Sequence, residues 1–161
     1  MINFRKIYVV VCALLLAGCA TTGSGGLSGE SKAVEKVHPK VDPKATVAYE
    51  MALISMRAGN IEKAEKQLNK LSSDYPQYSG PHNNLGIMYY RNGRIEEAKT
   101  AFENALKINP DSVVSLNYLG IISRGKGEFK EAQGFYEKAL QADPDYAYAH
   151  LYYGILLELY M

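Results

Sequence analysis

Apolar and polar positions follow three different patterns along the chain. Residues 7–17 form an unbroken apolar run without a charged side chain. Residues 20–44 combine glycine, serine, charged residues and two prolines without clear periodicity, as in a flexible linker. From residue 45 onwards, apolar, small and proline positions recur in a regular order that predicts a series of helices. We place these helices at 45–57, 61–73, 79–91, 95–108, 113–125, 129–141 and 147–160.

The regular part of the chain is an internal repeat with a step of 34 residues. Five kinds of position keep this step over three copies. They are Gly59, Gly93 and Gly127; Ala64, Ala98 and Ala132; Leu68, Phe102 and Tyr136; Pro76, Pro110 and Pro144; and Gly86, Gly120 and Gly154, preceded by Ala52. Each proline ends the second helix of its copy, because proline lacks an N–H and clashes with the preceding turn. A plain helical bundle, which is the alternative architecture, would not need a fixed spacing.

The period and its occupied positions resemble the tetratricopeptide repeat (TPR) over residues 45–161. The second copy carries the family's signature residues Leu85, Gly86, Tyr89, Ala98, Phe102, Ala105 and Pro110. The third carries Leu119, Gly120, Ala132, Tyr136, Ala139 and Pro144, whereas the first departs with Met51, Ala52 and Leu71. The resemblance implies an all-α TPR-type α-solenoid of antiparallel helix pairs with about three and a half repeats. Its units would be TPR 1 at 45–78, TPR 2 at 79–112, TPR 3 at 113–146 and a partial TPR 4, a first helix only, at 147–161.

The repeated small and large residues predict how the helices pack. Small residues let two helices approach closely, so we expect Gly86 to face Ala98 across a tight crossing. Large residues such as Phe102 and Tyr136 are expected to fill the space between successive repeats. The packing of the solenoid would therefore depend on the repeated glycine and aromatic positions.

The N-terminal segment has the organisation of an export signal. Arg5 and Lys6 precede the apolar run of residues 7–17. Eleven helical residues span about 16 Å, which is too short for a hydrocarbon core of about 30 Å. A basic start followed by a short apolar run is typical of a signal peptide, which we assign to residues 1–18. A short membrane anchor is the alternative.

Residues 16–19, Leu-Ala-Gly-Cys, resemble the bacterial lipobox and follow directly after that run. The resemblance implies cleavage before Cys19, transfer of a diacylglyceryl group to its thiol, and acylation of the new amino group, for example with palmitate. Residues 19–44 would then be a flexible tether that starts at a lipidated cysteine. Alanine rather than aspartate at residue 20 favours the periplasmic face of the outer membrane in the cell envelope. The alternative is that Cys19 is only a small residue at the end of the apolar run.

Composition and motifs narrow the function classes. Lys and Arg number 18 against 17 Asp and Glu, and this balance argues against a nucleic-acid binder. The two cysteines, Cys12 and Cys19, precede the repeats, which excludes a zinc–thiolate site or a cysteine nucleophile there. His82 and His150 occupy the same position of their copies, and packing explains them better than a metal or acid–base pair. The chain has no catalytic or phosphate-binding motif, so we expect no enzyme activity, metal or cofactor.

The first helices of TPR proteins line a concave groove, and the resemblance carries this role to specific positions here. The expected partner-binding residues are Tyr49, Leu53, Met56, Asn83, Ile87, Tyr90, Asn117 and Ile121. A lining of apolar, tyrosine and asparagine side chains suits a peptide or helix from another protein. Chaperone-binding members grip a terminal carboxylate with basic residues, but this chain has Val114 and Tyr118 at those positions.

Taken together, these features predict a lipid-anchored cell-envelope adaptor that binds protein partners. It resembles TPR lipoproteins that serve pilus assembly, secretion or peptidoglycan remodelling, and the fold does not choose among them. The alternative is a pilotin-like assembly factor for an outer-membrane secretin or a type IV pilus machine.

The helix predicted at 147–160 is unusually apolar for the last helix of a solenoid. Its only formal charge is Glu158, and five of the thirteen tyrosines lie between residues 146 and 160. Three copies counted from residue 45 reach residue 146, so residues 147–161 suffice for a first helix without a second. One face would then stay apolar and bare, as contact surfaces do. We predict homo-oligomer formation or partner capture through Tyr152, Ile155, Leu156 and Leu159.

Overall fold

The structure, a computed structural model, describes residues 41–160. This part of the chain consists of seven α-helices joined by short turns. They are α1 (Pro43–Arg57), α2 (Ile61–Asp74), α3 (Gly80–Arg91), α4 (Ile95–Ile108), α5 (Val113–Gly125), α6 (Phe129–Ala142) and α7 (Ala147–Tyr160). Each helix begins and ends within two residues of the predicted bounds. The predicted all-α architecture is therefore confirmed.

The helices pack as successive hairpins. Helices α1 and α2, α3 and α4, and α5 and α6 form three pairs, and each pair stacks on the next through α2–α3, α4–α5 and α6–α7 contacts. The first helices also touch one another, because α3 contacts α5 and α5 contacts α7. This stacking places the first helices α1, α3, α5 and α7 side by side along one surface of the solenoid.

The turn inside each pair explains one repeated glycine. Gly59, Gly93 and Gly127 have φ values of 73°, 75° and 80°, which lie in the left-handed region. A side chain would be strained in this conformation, whereas glycine adopts it without steric cost. Each second helix begins two residues after its glycine, so the glycine sets the reversal of the chain.

The second repeated glycine lies under an aromatic ring. A Cβ built on Gly86 would lie 2.6 Å from Phe102 Cε1, and one on Gly120 would lie 2.5 Å from Tyr136 Cε1. The predicted pairing of Gly86 with Ala98 is thus wrong in its partner, since Phe102 of the second helix fills the space. Both rings are fully buried and hold their helix pairs together.

Helix α1 starts at Pro43, two residues before the predicted start. Asp42 caps it by accepting the backbone N–H of Lys44 at 2.8 Å, and proline is well suited to the first helical position. The signal peptide, Cys19 and residues 19–40 of the predicted tether lie outside the described residues. Between residues 41 and 160, no helix combines the length and apolar character needed to cross a bilayer.

Candidate functional site

A cavity of about 490 Å³ opens between the first helices α1 and α3. Leu53 and Met56 of α1 and Ile87 of α3, three of the predicted groove residues, line it. Ile61 and Met88 complete its apolar floor. The size is that of a pocket for one or two side chains of a ligand. We call this feature the α1–α3 cavity.

Two guanidinium groups stand at the mouth of the α1–α3 cavity. Arg57 and Arg91 line it, both are exposed, and each is the last residue of its helix. Cations are favoured there because the carbonyl groups of a helix C-terminus carry partial negative charge. Neither arginine forms an ion pair with another residue of the described part. Sequence analysis missed both, although their separation equals the repeat step of 34 residues.

Aromatic side chains continue the surface beyond the α1–α3 cavity. Tyr90 meets Tyr118 edge to face with ring centroids 5.3 Å apart, and Tyr118 stacks on Phe102 at 4.9 Å. Burial raises the pKa of Tyr118, and the positive charge of nearby Arg91 partly opposes this rise. The groove, defined as the α1–α3 cavity together with Arg57, Arg91, Tyr90 and Tyr118, thus combines an apolar floor with positive charge and tyrosine.

Tyr49 and Asn83 link first helices to one another instead of facing the groove with free polar groups. The Tyr49 hydroxyl accepts a hydrogen bond from Asn84 Nδ2, and burial raises the Tyr49 pKa. Asn83 Oδ1 accepts the hydroxyl of Ser115, and the Asn83 side chain also bonds Ser112 Oγ. These bonds join α1 to α3 and α3 to the start of α5.

The prediction of groove positions is wrong for Asn117 and Ile121. Asn117 is only 2% exposed and Ile121 only 8% exposed. Ile121 packs against Tyr136 and Leu156, so α7 and α6 cover this part of α5. The groove is therefore open at the first and second repeats and closed by packing at the third.

Two more polar groups lie buried under the closed part of the groove. The Tyr136 hydroxyl and Arg124 Nε have no hydrogen-bond partner within residues 41–160. Burial raises the pKa of Tyr136 to about 12, and the neighbouring Arg124 guanidinium opposes this rise. Tyr136 therefore stays protonated at neutral pH and acts as a packing residue.

The predicted apolar face of α7 also needs correction. Leu156 is fully buried against α5 and α6, while Tyr152 and Ile155 are half-buried. Leu159 is 64% exposed, as predicted. The packed side of α7 therefore includes Leu156, and the exposed side lies elsewhere on the helix, as the exposure of Leu151 shows.

The histidines do not form a pair. His82 is half-buried and lines a separate cavity of about 350 Å³ with Asn69 and Tyr89, and burial lowers its pKa. His150 is exposed on α7, with Nε2 2.7 Å from the Pro144 carbonyl oxygen. Within the described range, no three His, Cys, Asp or Glu side chains are placed to hold a metal ion.

An ionic network on second helices supports the fold away from the groove. Arg94 Nη1 donates to Glu65 Oε2 at 2.9 Å, and the Tyr89 hydroxyl donates to Glu65 Oε1 at 2.8 Å. The Arg94 guanidinium also lies 4.2 Å from the Tyr89 ring centroid. The hydrogen bond from Arg94 lowers the pKa of the Glu65 carboxyl.

Comparison with known families agrees with this architecture. One tetratricopeptide repeat family model matches residues 46–78, and a second matches residues 77–145. The two matches together cover more than half of the chain. The chain belongs to the tetratricopeptide repeat family. No curated protein sequence matches it.

Solved TPR domains share the fold of this TPR protein. The first TPR domain of Spaghetti (RPAP3), solved with the HSP90 peptide SRMEEVD, has a TM-score of 0.66 at 19% identity, covering 75% of this chain and 97% of that one. The Arabidopsis OM64 TPR domain has a TM-score of 0.65 at 16% identity, with coverages of 71% and 94%. The Sgt2 TPR domain of Aspergillus fumigatus has a TM-score of 0.65 at 18% identity, with coverages of 73% and 79%. At these identities the similarity establishes the fold.

Proposed function

We propose that this TPR protein is a non-catalytic adaptor whose groove binds an extended or helical segment of another protein. The α1–α3 cavity carries the proposal, because its apolar floor is bordered by Arg57 and Arg91 without ion-pair partners in the described part. A matching segment would place a large apolar side chain in the cavity and carboxylates beside the two guanidinium groups. The relative solved with the peptide SRMEEVD supports peptide binding as a use of this fold.

The tyrosine pair extends this interface. Tyr90 and Tyr118 offer large, rigid surfaces that cost little conformational entropy when a ligand covers them. Val114 and Tyr118 stand where chaperone-binding members carry basic residues, so Arg57 and Arg91 supply the positive charge from different positions. The recognised segment is therefore apolar and acidic.

Photo-cross-linking in intact cells tests the proposed use of the groove. A photoreactive phenylalanine analogue replaces Met56 at the cavity, and the matched control replaces Lys138, exposed on α6. We expect protein adducts at position 56 and few at position 138. Arg91→Glu should reduce the adducts at position 56 about tenfold, since a charge reversal at a rim weakens binding by this order. Adducts equal at both positions, or insensitive to Arg91→Glu, would contradict groove binding.

We also propose that the protein is anchored by lipid at Cys19 to the periplasmic face of the outer membrane. The support is the lipobox sequence after a signal-like segment. Metabolic labelling with a fatty-acid probe should mark the parent chain and not Cys19→Ser, which should accumulate as precursor. Equal labelling of both would refute the anchor. A secretin recovered as the sole cross-linked protein would favour the pilotin-like alternative over a general adaptor.

A further inference from the structure

The exposed side of α7 is centred on a glycine. With about 100° between successive helical residues, Gly154 lies opposite the buried Leu156 and Ala149. Six residues share the exposed side, and all are exposed. We call this set the α7 outer face: Ala147, His150, Leu151, Gly154, Leu157 and Glu158.

Gly154 is an open copy of a position that is closed in the other repeats. Phe102 covers Gly86 and Tyr136 covers Gly120, and each ring belongs to a residue sixteen positions later. No heavy atom lies within 4 Å of the Cβ position of Gly154. The glycine therefore leaves a notch where another helix can approach closely.

The α7 outer face is complementary to itself when it is reversed. His150 and Glu158 each lie four residues from Gly154, or about 6 Å along the axis. Leu151 and Leu157 each lie three residues from it, or about 4.5 Å. In an antiparallel pair centred on Gly154, the imidazole of one copy is thus level with the carboxylate of the other, and leucine is level with leucine.

We propose that two copies of this protein associate through antiparallel pairing of their α7 helices, with the two-fold axis at Gly154. The exposed Leu151 and Leu157, 54% and 46% exposed, supply the apolar contact. Nε2 of His150 is bonded to the Pro144 carbonyl oxygen, which leaves Nδ1 for the carboxylate of the second copy. A parallel pair would instead place Glu158 beside Glu158.

This pairing is independent of the proposed function. The groove involves α1, α3 and Tyr118 of α5, whereas the α7 outer face involves none of these residues. A closed two-fold contact uses the same surface on both copies, which is the commonest form of homodimer. The dimer would present two grooves at once and increase avidity for a multivalent partner.

Site-specific disulfide cross-linking of the full chain tests the geometry. At an interaxial distance of 8–10 Å, two residues at position 154 have Cα atoms about 4–5 Å apart, within reach of a disulfide. Two residues at position 157 are separated by about 9 Å along the axis alone, beyond that reach. With a mild oxidant, Gly154→Cys should therefore form a covalent dimer, and Leu157→Cys, on the same exposed face, should not. The parent chain, which has Cys12 and Cys19 only, measures the background.

The outcomes separate the occupants of the face. Dimer at position 154 alone supports antiparallel pairing. Equal dimer at both positions indicates parallel or non-specific contact and overturns the proposal. No dimer at either position, with monomeric full chain by light scattering in detergent, also overturns it and leaves the face to a helix of another protein.

Charge exchange gives a second measurement that does not depend on cysteine. His150→Glu should raise the dimer dissociation constant roughly tenfold, because symmetry repeats the repulsion at both ends of the interface. Adding Glu158→His to that variant restores opposite charges and should restore association. Circular dichroism confirms folding of each variant. A double variant as weak as the single one would refute the pairing of residues 150 and 158.

Discussion

Replacing Gly120 by alanine adds one methyl group at the tightest helix contact of the third repeat. The new carbon would lie 2.5 Å from Tyr136 Cε1, whereas carbon atoms in contact are normally about 3.5–4.0 Å apart. The fully buried Tyr136 ring must therefore move by about 1 Å. Overpacking of this kind costs typically 1–3 kcal/mol, against a gain of about 0.5–1 kcal/mol from replacing a helical glycine. We expect Gly120→Ala to lower the free energy of unfolding by about 1–2 kcal/mol.

Gly134 provides the matched control in the same repeat. It lies inside α6, and no atom lies within 4 Å of its Cβ position. Gly134→Ala should therefore raise the free energy of unfolding by about 0.5–1 kcal/mol. Urea unfolding followed by helical circular dichroism measures both changes.

A rescue variant tests the assigned cause. Leu68 and Ala52 occupy the ring and glycine positions of the first repeat, so Tyr136→Leu should make room for the methyl group. Gly120→Ala should then cost clearly less in the Tyr136→Leu background than in the parent chain. Stabilisation by Gly120→Ala alone, or an equal cost in both backgrounds, would refute the argument from ring contact.

Two further changes test polar groups. The folded-state pKa of Glu65 is lowered chiefly by Arg94, so its contribution is present above the model value of 4.5 and is lost as pH falls through the folded pKa. Glu65→Gln should therefore weaken the chain at pH 7 and flatten the fall in stability towards pH 3, whereas the exposed Glu62→Gln should leave the parent profile unchanged in urea titrations. Asn83→Ala removes the acceptor of the buried Ser115 hydroxyl and should cost about 1–3 kcal/mol. The exposed Gln141→Ala should change unfolding by under about 0.5 kcal/mol in the same assay, and equal losses would contradict the inter-repeat role of Asn83.

The fold was largely predictable from sequence because its units are local and repeated. Gly59 and Pro76 bound the second helix of the first repeat, and the same residue types recur at each step of 34. Helix bounds follow from these turns without knowledge of long-range packing. The lipid site and most of the predicted tether lie outside the described residues and stay predictions.

The groove was only partly predictable, because exposure depends on neighbouring repeats. Leu53 and Ile87 reach the cavity as expected, but Asn117 and Ile121 are buried once α7 packs against α5. No position within the third copy reveals this cover.

The error at α7 has a different origin. Leu156 follows Ile122 by 34 residues and Met88 by 68, and both are buried, so the repeat register itself places it on the packed side. Comparing the copies position by position would have identified it. The predicted exposure of Leu159 agrees with the same comparison, because its counterparts Gly125 and Arg91 are exposed.

The hydrogen bonds between first helices have a consequence for the kinetics of recognition. Tyr49 with Asn84, and Asn83 with Ser112 and Ser115, hold α1, α3 and α5 at set distances within the protein itself. A ligand then meets a surface whose width is established before the encounter, and little ordering of the protein accompanies binding. Association would proceed at the ordinary rate of preformed surfaces, about 10⁵–10⁷ M⁻¹s⁻¹, and partners would differ mainly in how long they stay.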